Sequence, residues 1–169
     1  MKQAAVIAMV LLPIGAAADM RVTFTEGAPK DRFAITNTGT CEIGPATLLI
    51  DLSSSAGQLI FDTTADGAGV DVFQPVELVA GAPEVESTGT VLDGDMMLEV
   101  TLRSLRPRVT IAFTMDLDDQ QQNSALGQTR VTGAEINGAT VSVTIGDSTV
   151  TGRFDDSAAA DIPLSACLS

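Results

Sequence analysis

From Met20 onward, hydrophobic and polar residues alternate with a period of two over short stretches, as in strands that bury one face. Residues 20–26 (MRVTFTE) and 32–37 (RFAITN) follow this rule. The run 46–52 (ATLLIDL) is more continuously apolar and predicts a central strand covered on both faces. Residues 58–62 predict another strand. Residues 70–80 predict two short ones around Pro75, which lacks an N–H and belongs at an edge or bend. Residues 96–102 and 109–117 predict a hairpin joined by 103–108.

The last third carries two turn signals. Residues 130–136 meet Asn137-Gly138, residues 139–145 meet Gly146-Asp147, and 148–154 follow. Asn-Gly supplies the positive φ of a type I′ turn and Gly-Asp suits related two-residue turns, so a three-strand meander is expected. The pattern predicts an all-β fold: a single antiparallel β-sandwich of about 8–11 strands. A small outer-membrane barrel would carry aromatic girdles. This chain has no Trp and no Tyr, which argues against a barrel.

Ahead of the strands lie Lys2, an apolar run over 4–14, and Gly15-Ala16-Ala17-Ala18 before Asp19. Positive, apolar and small-residue regions in that order predict a cleavable signal peptide over 1–18 and a single domain over 19–169. Eleven apolar residues are too few to span a bilayer, which takes about 20. The expected location is therefore the periplasm or the extracellular medium, with no membrane span.

Export changes the reading of charge and cysteine. Without Lys2, eight basic residues face 22 acidic ones, a net charge of −14. Nucleic acid is then a poor partner, because phosphate binding needs clustered Lys and Arg. Cys41 and Cys167 are the two cysteines, and a pair in an oxidising compartment predicts a disulfide.

There is no histidine, which removes Ser-His and Cys-His nucleophiles, imidazole acid–base chemistry and the usual zinc sites. Lys30 is the one lysine after residue 18, and Pro29-Lys30-Asp31 reads as a turn. Paired carboxylates could still hydrolyse a glycoside. With only six Phe, however, an aromatic platform for sugars is not expected.

What remains is carboxylate: 15 Asp and 7 Glu after residue 18. Hard cations are held by such oxygens together with backbone carbonyls. In residues 113–119 (FTMDLDD), Phe113, Met115 and Leu117 are expected to face the core. Asp116 and Asp118 then share the other face, with Asp119 at the strand's end. Two carboxylates about 5 Å apart repel by roughly 3 kcal/mol at an effective dielectric near 20, which a cation or an arginine (Arg32, Arg103 or Arg130) would offset. The Gly-Asp loop over 62–71 adds Asp62 and Asp66 as candidate ligands, and Asp51, set in an apolar run, is a further candidate. Asp93-Gly94-Asp95 reads as a hairpin turn. An EF-hand starting at Asp116 would need glycine at position 121 and glutamate at 127, where Gln121 and Gly127 stand.

The segments 36–39 (TNTG), 44–54 (GPATLLIDLSS), 59–62 (LIFD), 67–70 (GAGV) and 113–119 resemble small bacterial secreted proteins labelled aggregation factor core. That label derives from the core protein of sponge aggregation factors, extracellular material of calcium-dependent cell adhesion. The resemblance implies a surface or matrix role, favours Ca2+ as cofactor and implies no catalytic residues. The expected function is an exported, non-enzymatic binding or adhesion domain that uses calcium, with a protein or an extracellular matrix or surface component as partner. A hydrolase working with carboxylates alone and a purely structural matrix or envelope component are the alternatives.

Overall fold

The computed structural model describes residues 20–70, 72–121, 128 and 130–164. The expected signal peptide over 1–18, Asp71 and Cys167 lie outside these residues. Among the described residues the chain forms twelve strands and no helix, so no helix is long and apolar enough to cross a membrane. In chain order they are β1 (Met20–Thr25), β2 (Asp31–Asn37), β3 (Ala46–Asp51), β4 (Ile60–Phe61), β5 (Glu77–Ala80) and β6 (Val85–Thr88). There follow β7 (Met97–Leu102), β8 (Thr110–Met115), β9 (Leu117–Asp118), β10 (Thr140–Ile145), β11 (Ser148–Arg153) and β12 (Ala159–Ile162).

Two five-stranded antiparallel sheets face each other. One has the order β12-β1-β2-β8-β5 and the other β11-β10-β3-β7-β6. Alternation decides which side chains meet between them: Phe33, Ile35, Ile111 and Phe113 point inward from the first sheet, and Leu48, Ile50, Leu98 and Val100 from the second. Phe33 packs at 5.4 Å from Phe24 and 6.0 Å from Phe154, ring centre to ring centre. Burial of such side chains, at about 1.5–3 kcal/mol each, is the main force holding the sheets together.

Several strand expectations are corrected. β3 is central, between β10 and β7, but only one of its faces is buried; Thr47, Leu49 and Asp51 are half-exposed on the other. The segments 96–102 and 109–117 are not a hairpin. β7 pairs with β3 and β6 in one sheet, and β8 with β2 and β5 in the other. The link between them, held by the Ile43–Leu105 bridge and turning at Arg108 with φ 65°, crosses from one sheet to the other. An inward apolar face looks the same in sequence whether its strand pairs with the next one or packs opposite it.

The expected three-strand meander is reduced to the β10–β11 hairpin around Gly146-Asp147. Residues 133–138 form consecutive turns, and Gly138, at φ 95°, packs against the Ser54 carbonyl. No strand precedes Pro75 among the described residues of 70–80; β5 follows it.

A small third sheet matters most for the site. β4 pairs with β9, with Ile60 opposite Asp118 and Phe61 opposite Leu117. β9 extends the path of β8, while Phe61 also donates its N–H to the Asp95 carbonyl just ahead of β7. This pair therefore ties the two large sheets together at one end of the sandwich.

Candidate metal centre

Asp116 lies between β8 and β9, Asp118 ends β9, and Asp62 follows β4. The register brings them together: the Asp62 N–H donates to the Asp116 carbonyl at 3.1 Å, and Asp118 stands opposite Ile60. The segment after Asp62 then returns to the same place. Gln74 donates its N–H to the Asp62 carbonyl at 3.1 Å and accepts from the Asp116 N–H at 3.3 Å. The expected open face beneath Asp116 and Asp118 is thus covered, and the two acids are 5% and 2% exposed, with Asp62 at 0% and Asp119 at 2%.

One carboxylate oxygen from each of Asp62, Asp116 and Asp118 lies within 4.8 Å of the other two. Oxygens bound to one calcium ion sit about 2.3–2.6 Å from it, so two of them can be at most about 5 Å apart. The spacing fits a shared ion. Buried carboxylate oxygens normally accept hydrogen bonds. Here both oxygens of Asp62, Oδ2 of Asp116, Oδ1 of Asp118 and Oδ2 of Asp119 are buried with no hydrogen-bond partner.

Neighbouring glycines permit the crowding. A Cβ at Gly69 would overlap the Asp62 carboxylate and press on that of Asp118, and the adjoining Val70 N–H donates to Asp118 Oδ2 at 2.7 Å.

No basic side chain offsets these charges among the described residues. The ion pairs are Arg21–Asp161, Lys30–Glu77, Arg106–Glu84 and Arg130–Glu26, all away from the cluster. Of the arginines considered from sequence, Arg103 donates to the Val85 carbonyl, Arg130 faces Glu26 at 4.0 Å, and Arg32 is exposed on β2.

The electrostatic consequence is proton retention. Burial pushes the Asp62 carboxyl up to about 7, helped by Asp93 and Asp118 beside it. Burial, then the charges of Asp118, Asp31 and Asp62, push Asp116 up to about 7. Burial also raises Asp118, against the lowering effect of the Val70 N–H. Groups that cannot shed their charge to water or to an arginine must hold a proton or a cation.

Of the six acids expected as ligands, Asp62, Asp116 and Asp118 are brought together, and Asp119 is buried next to them. Asp66 is exposed in the loop away from them. Asp51 is half-exposed at the end of β3, where its Oδ1 accepts the Ser53 N–H at 2.9 Å; that turn is the partner its position required.

Two acids escaped the sequence reading. Asp31, taken as part of a turn, is buried at the start of β2; its Oδ1 accepts the Gly27 N–H at 3.0 Å and its Oδ2 the Leu117 N–H at 3.2 Å. It shares the inward register of Phe33 and Ile35, a signal visible in the alternation. Burial, partly offset by these two donors, raises its carboxyl to about 7. Asp93 lies, as expected, in the turn that links the antiparallel strands β6 and β7, and from there its carboxylate also reaches the loop after Asp62.

The donor set is all oxygen, which suits hard cations such as Ca2+ and gives no sulfur or imidazole ligand for zinc or copper.

No family model matches the chain, and no curated protein does. Among solved structures it is similar to the CBM3a-L domain with flanking linkers from scaffoldin cipA of the Clostridium thermocellum cellulosome. The identity there is 16%, covering 90% of this chain and 98% of that one, with a TM-score of 0.37. It is also similar to CBM3b of the major scaffoldin subunit ScaA from Acetivibrio cellulolyticus, at 14% identity, covering 90% of this chain and 100% of that one, with a TM-score of 0.30.

Proposed function

We propose that this chain is an exported, non-enzymatic binding or adhesion domain whose β4–β9 end is held by a calcium ion. The observation that carries the calcium reading is the set of four buried carboxylate oxygens on Asp62, Asp116 and Asp118 with no hydrogen-bond partner. These three acids are the ligands; Asp119, though buried, stands outside the group, with its Oδ1 accepting the Gln121 N–H at 2.9 Å. The ion links the extension of one sheet to a loop that returns from the other.

The same geometry speaks against a hydrolase working with carboxylates alone. Glycosidases separate their two acids by about 5–10 Å across an open cleft. Asp62, Asp116 and Asp118 are at most 5% exposed, and a polymer could not reach them. Exposed large apolar side chains among the described residues are Val72, Phe73, Val79, Leu92 and Met97, with one aromatic among them. Such a surface suits a protein or matrix component better than a sugar platform, in keeping with the resemblance to aggregation factor core proteins.

Isothermal calorimetry of the exported chain, followed by pull-down from the native medium and cell surface with calcium or chelator, tests this function. Binding of calcium near one ion per chain, and a partner recovered in calcium and lost in chelator, is the expected result. No heat of binding would overturn the calcium reading. A partner retained in chelator would leave an adhesion domain that does not need the ion. The Cys41–Cys167 disulfide belongs to the same proposal. Intact mass of the unreduced exported chain should fall two hydrogens below the sequence mass, and two alkylatable thiols would refute the bridge.

A further inference from the structure

The acids around the centre do not all stand in the same chemical situation. The Asp62 carboxylate touches that of Asp93, so Asp93 is the next acid to weigh as a ligand. Its oxygens are used differently. Asp93 Oδ1 accepts the N–H of Thr63 at 2.8 Å and of Thr64 at 3.1 Å, and Oδ2 accepts the N–H of Ala68. No oxygen of Asp93 is among the buried atoms without a partner, whereas both oxygens of Asp62 are.

Resting on the calcium reading above, we infer that Asp93 is a positioning residue rather than a ligand: its carboxylate gathers three backbone N–H groups and so holds the 63–70 loop against Asp62 and Asp118. The three donors bracket the loop. Thr63 follows Asp62 directly, and Ala68 precedes Gly69, which lies on the Asp62 carboxylate. Gly67 approaches so closely that a Cβ there would overlap the Asp93 carboxylate. With Oδ1 taken by two donors and Oδ2 by a third, three of the about four lone-pair sites a cation could use are directed at amides instead. The loop's own anchor is thus in place before an ion arrives, and the residues with unpartnered oxygens are left to bind it.

The two roles differ in the water they leave on a bound ion. Removing a ligand opens a coordination position that water fills; removing an anchor weakens binding but leaves the remaining ligands on the ion. The test uses the full exported chain loaded with europium. Europium is excited directly, because the chain has neither Trp nor Tyr to sensitise it. Luminescence lifetimes in H2O and D2O count the bound waters, and calorimetry gives the calcium affinity.

Asp62→Ala is expected to gain about one bound water, since carboxylate ligands and waters fill the same positions. Asp93→Ala is expected to keep the wild-type water count while losing about 10–100-fold in calcium affinity, the usual cost of an outer partner of a metal site. Asp93→Asn, which keeps one acceptor oxygen, should recover part of that loss and also serves if Asp93→Ala does not fold. An extra water in either Asp93 variant would make Asp93 a ligand, and an unchanged affinity would remove its positioning role. Both results leave the calcium site standing. Failure of the wild-type chain to bind calcium or europium would instead overturn the calcium reading and this inference together.

Discussion

Single buried polar side chains organise more of this domain than their number suggests. Asn37 is fully buried at the end of β2 and makes three hydrogen bonds: Nδ2 donates to the Cys41 and Leu105 carbonyls, each at 2.7 Å, and Oδ1 accepts the Gly39 N–H at 2.9 Å. It ties the turn after β2 to the link that carries β7 across to β8. Truncation would leave buried groups unsatisfied, at about 1–3 kcal/mol per group. Asn37→Ala should therefore lower the unfolding free energy by about 2–4 kcal/mol in urea titrations, and a change below about 0.5 kcal/mol would show that these bonds are replaced by water. Gly69 works by absence. It has room for no side chain beside Asp62 and Asp118, so Gly69→Ala should weaken calcium binding at least tenfold by calorimetry and also lower the calcium-free melting midpoint. Equal affinity in the variant would mean that the carboxylates do not need the loop in its present place.

Among the elements, the shortest carry the site. β4 and β9 are two residues each, yet they set the register that puts Asp62 against Asp116 and Ile60 against Asp118. Two such strands are not stable alone. Phe61 and Leu117, both 0% exposed, anchor them in the core. The loop over 63–70 has little apolar burial of its own, and it is tied through Asp93 and Asp118, so its protection should follow the state of the centre. In hydrogen exchange, the Val70 amide, which donates to Asp118, should be protected in calcium and exchange at least tenfold faster in chelator, while the amides of β2 and β8 stay unchanged. Uniform protection in both conditions would separate the loop from the ion.

Across the whole molecule, two linkages meet at this end. Asp62 and Asp116 have carboxyls near 7 in the folded chain, against 3.8 when exposed. The folded chain therefore holds protons that the unfolded chain releases, and without metal its stability is fullest below about pH 4 and is lost as pH rises towards 7. In chelator the melting midpoint should be several degrees lower at pH 8 than at pH 5. On the proposed calcium reading the ion replaces those protons, so its affinity should rise with pH across the same window. At 100 times the dissociation constant it should add about 2.7 kcal/mol, a shift of several degrees for a domain of this size. A calcium-free midpoint that rises between pH 5 and 8 would contradict the buried, uncompensated cluster.

The alternation of 20–26, 32–37, 96–102 and 139–145 determined an all-β chain with one inward face per strand, because period two is a local property of an extended backbone, whereas the apolar run 46–52 hid the half-exposed face of β3. Gly146-Asp147 determined its hairpin for the same reason, since the positive φ of the turn belongs to Gly146 itself, at 56°. The run 113–119 also showed which acids share a strand's outer face. Partnership between strands was not local. β7 and β8 present the same pattern whether paired or opposed, and only packing of Leu98 and Val100 against Ile111 and Phe113 across the core separated them into two sheets. Asn137-Gly138 had hairpin chemistry, but tertiary contact with Ser54 used it for a turn of another kind.

The candidate centre divides in the same way. The chain itself made Asp116, Asp118 and Asp119 neighbours, and no basic residue lay nearby in sequence to neutralise them. That Asp62 joins them while Asp66 and Asp51 do not was decided by β4–β9 pairing, between residues more than 50 positions apart, and by the return of Gln74 to both Asp62 and Asp116. Asp31 and Asp93 gained their roles only when the folded backbone turned N–H groups towards them. Carboxylates carry charge wherever they stand, so the sequence shows that an acidic chain has ligands to offer. Only burial, which removes the water, leaves three of them together with no water or arginine to offset their charge.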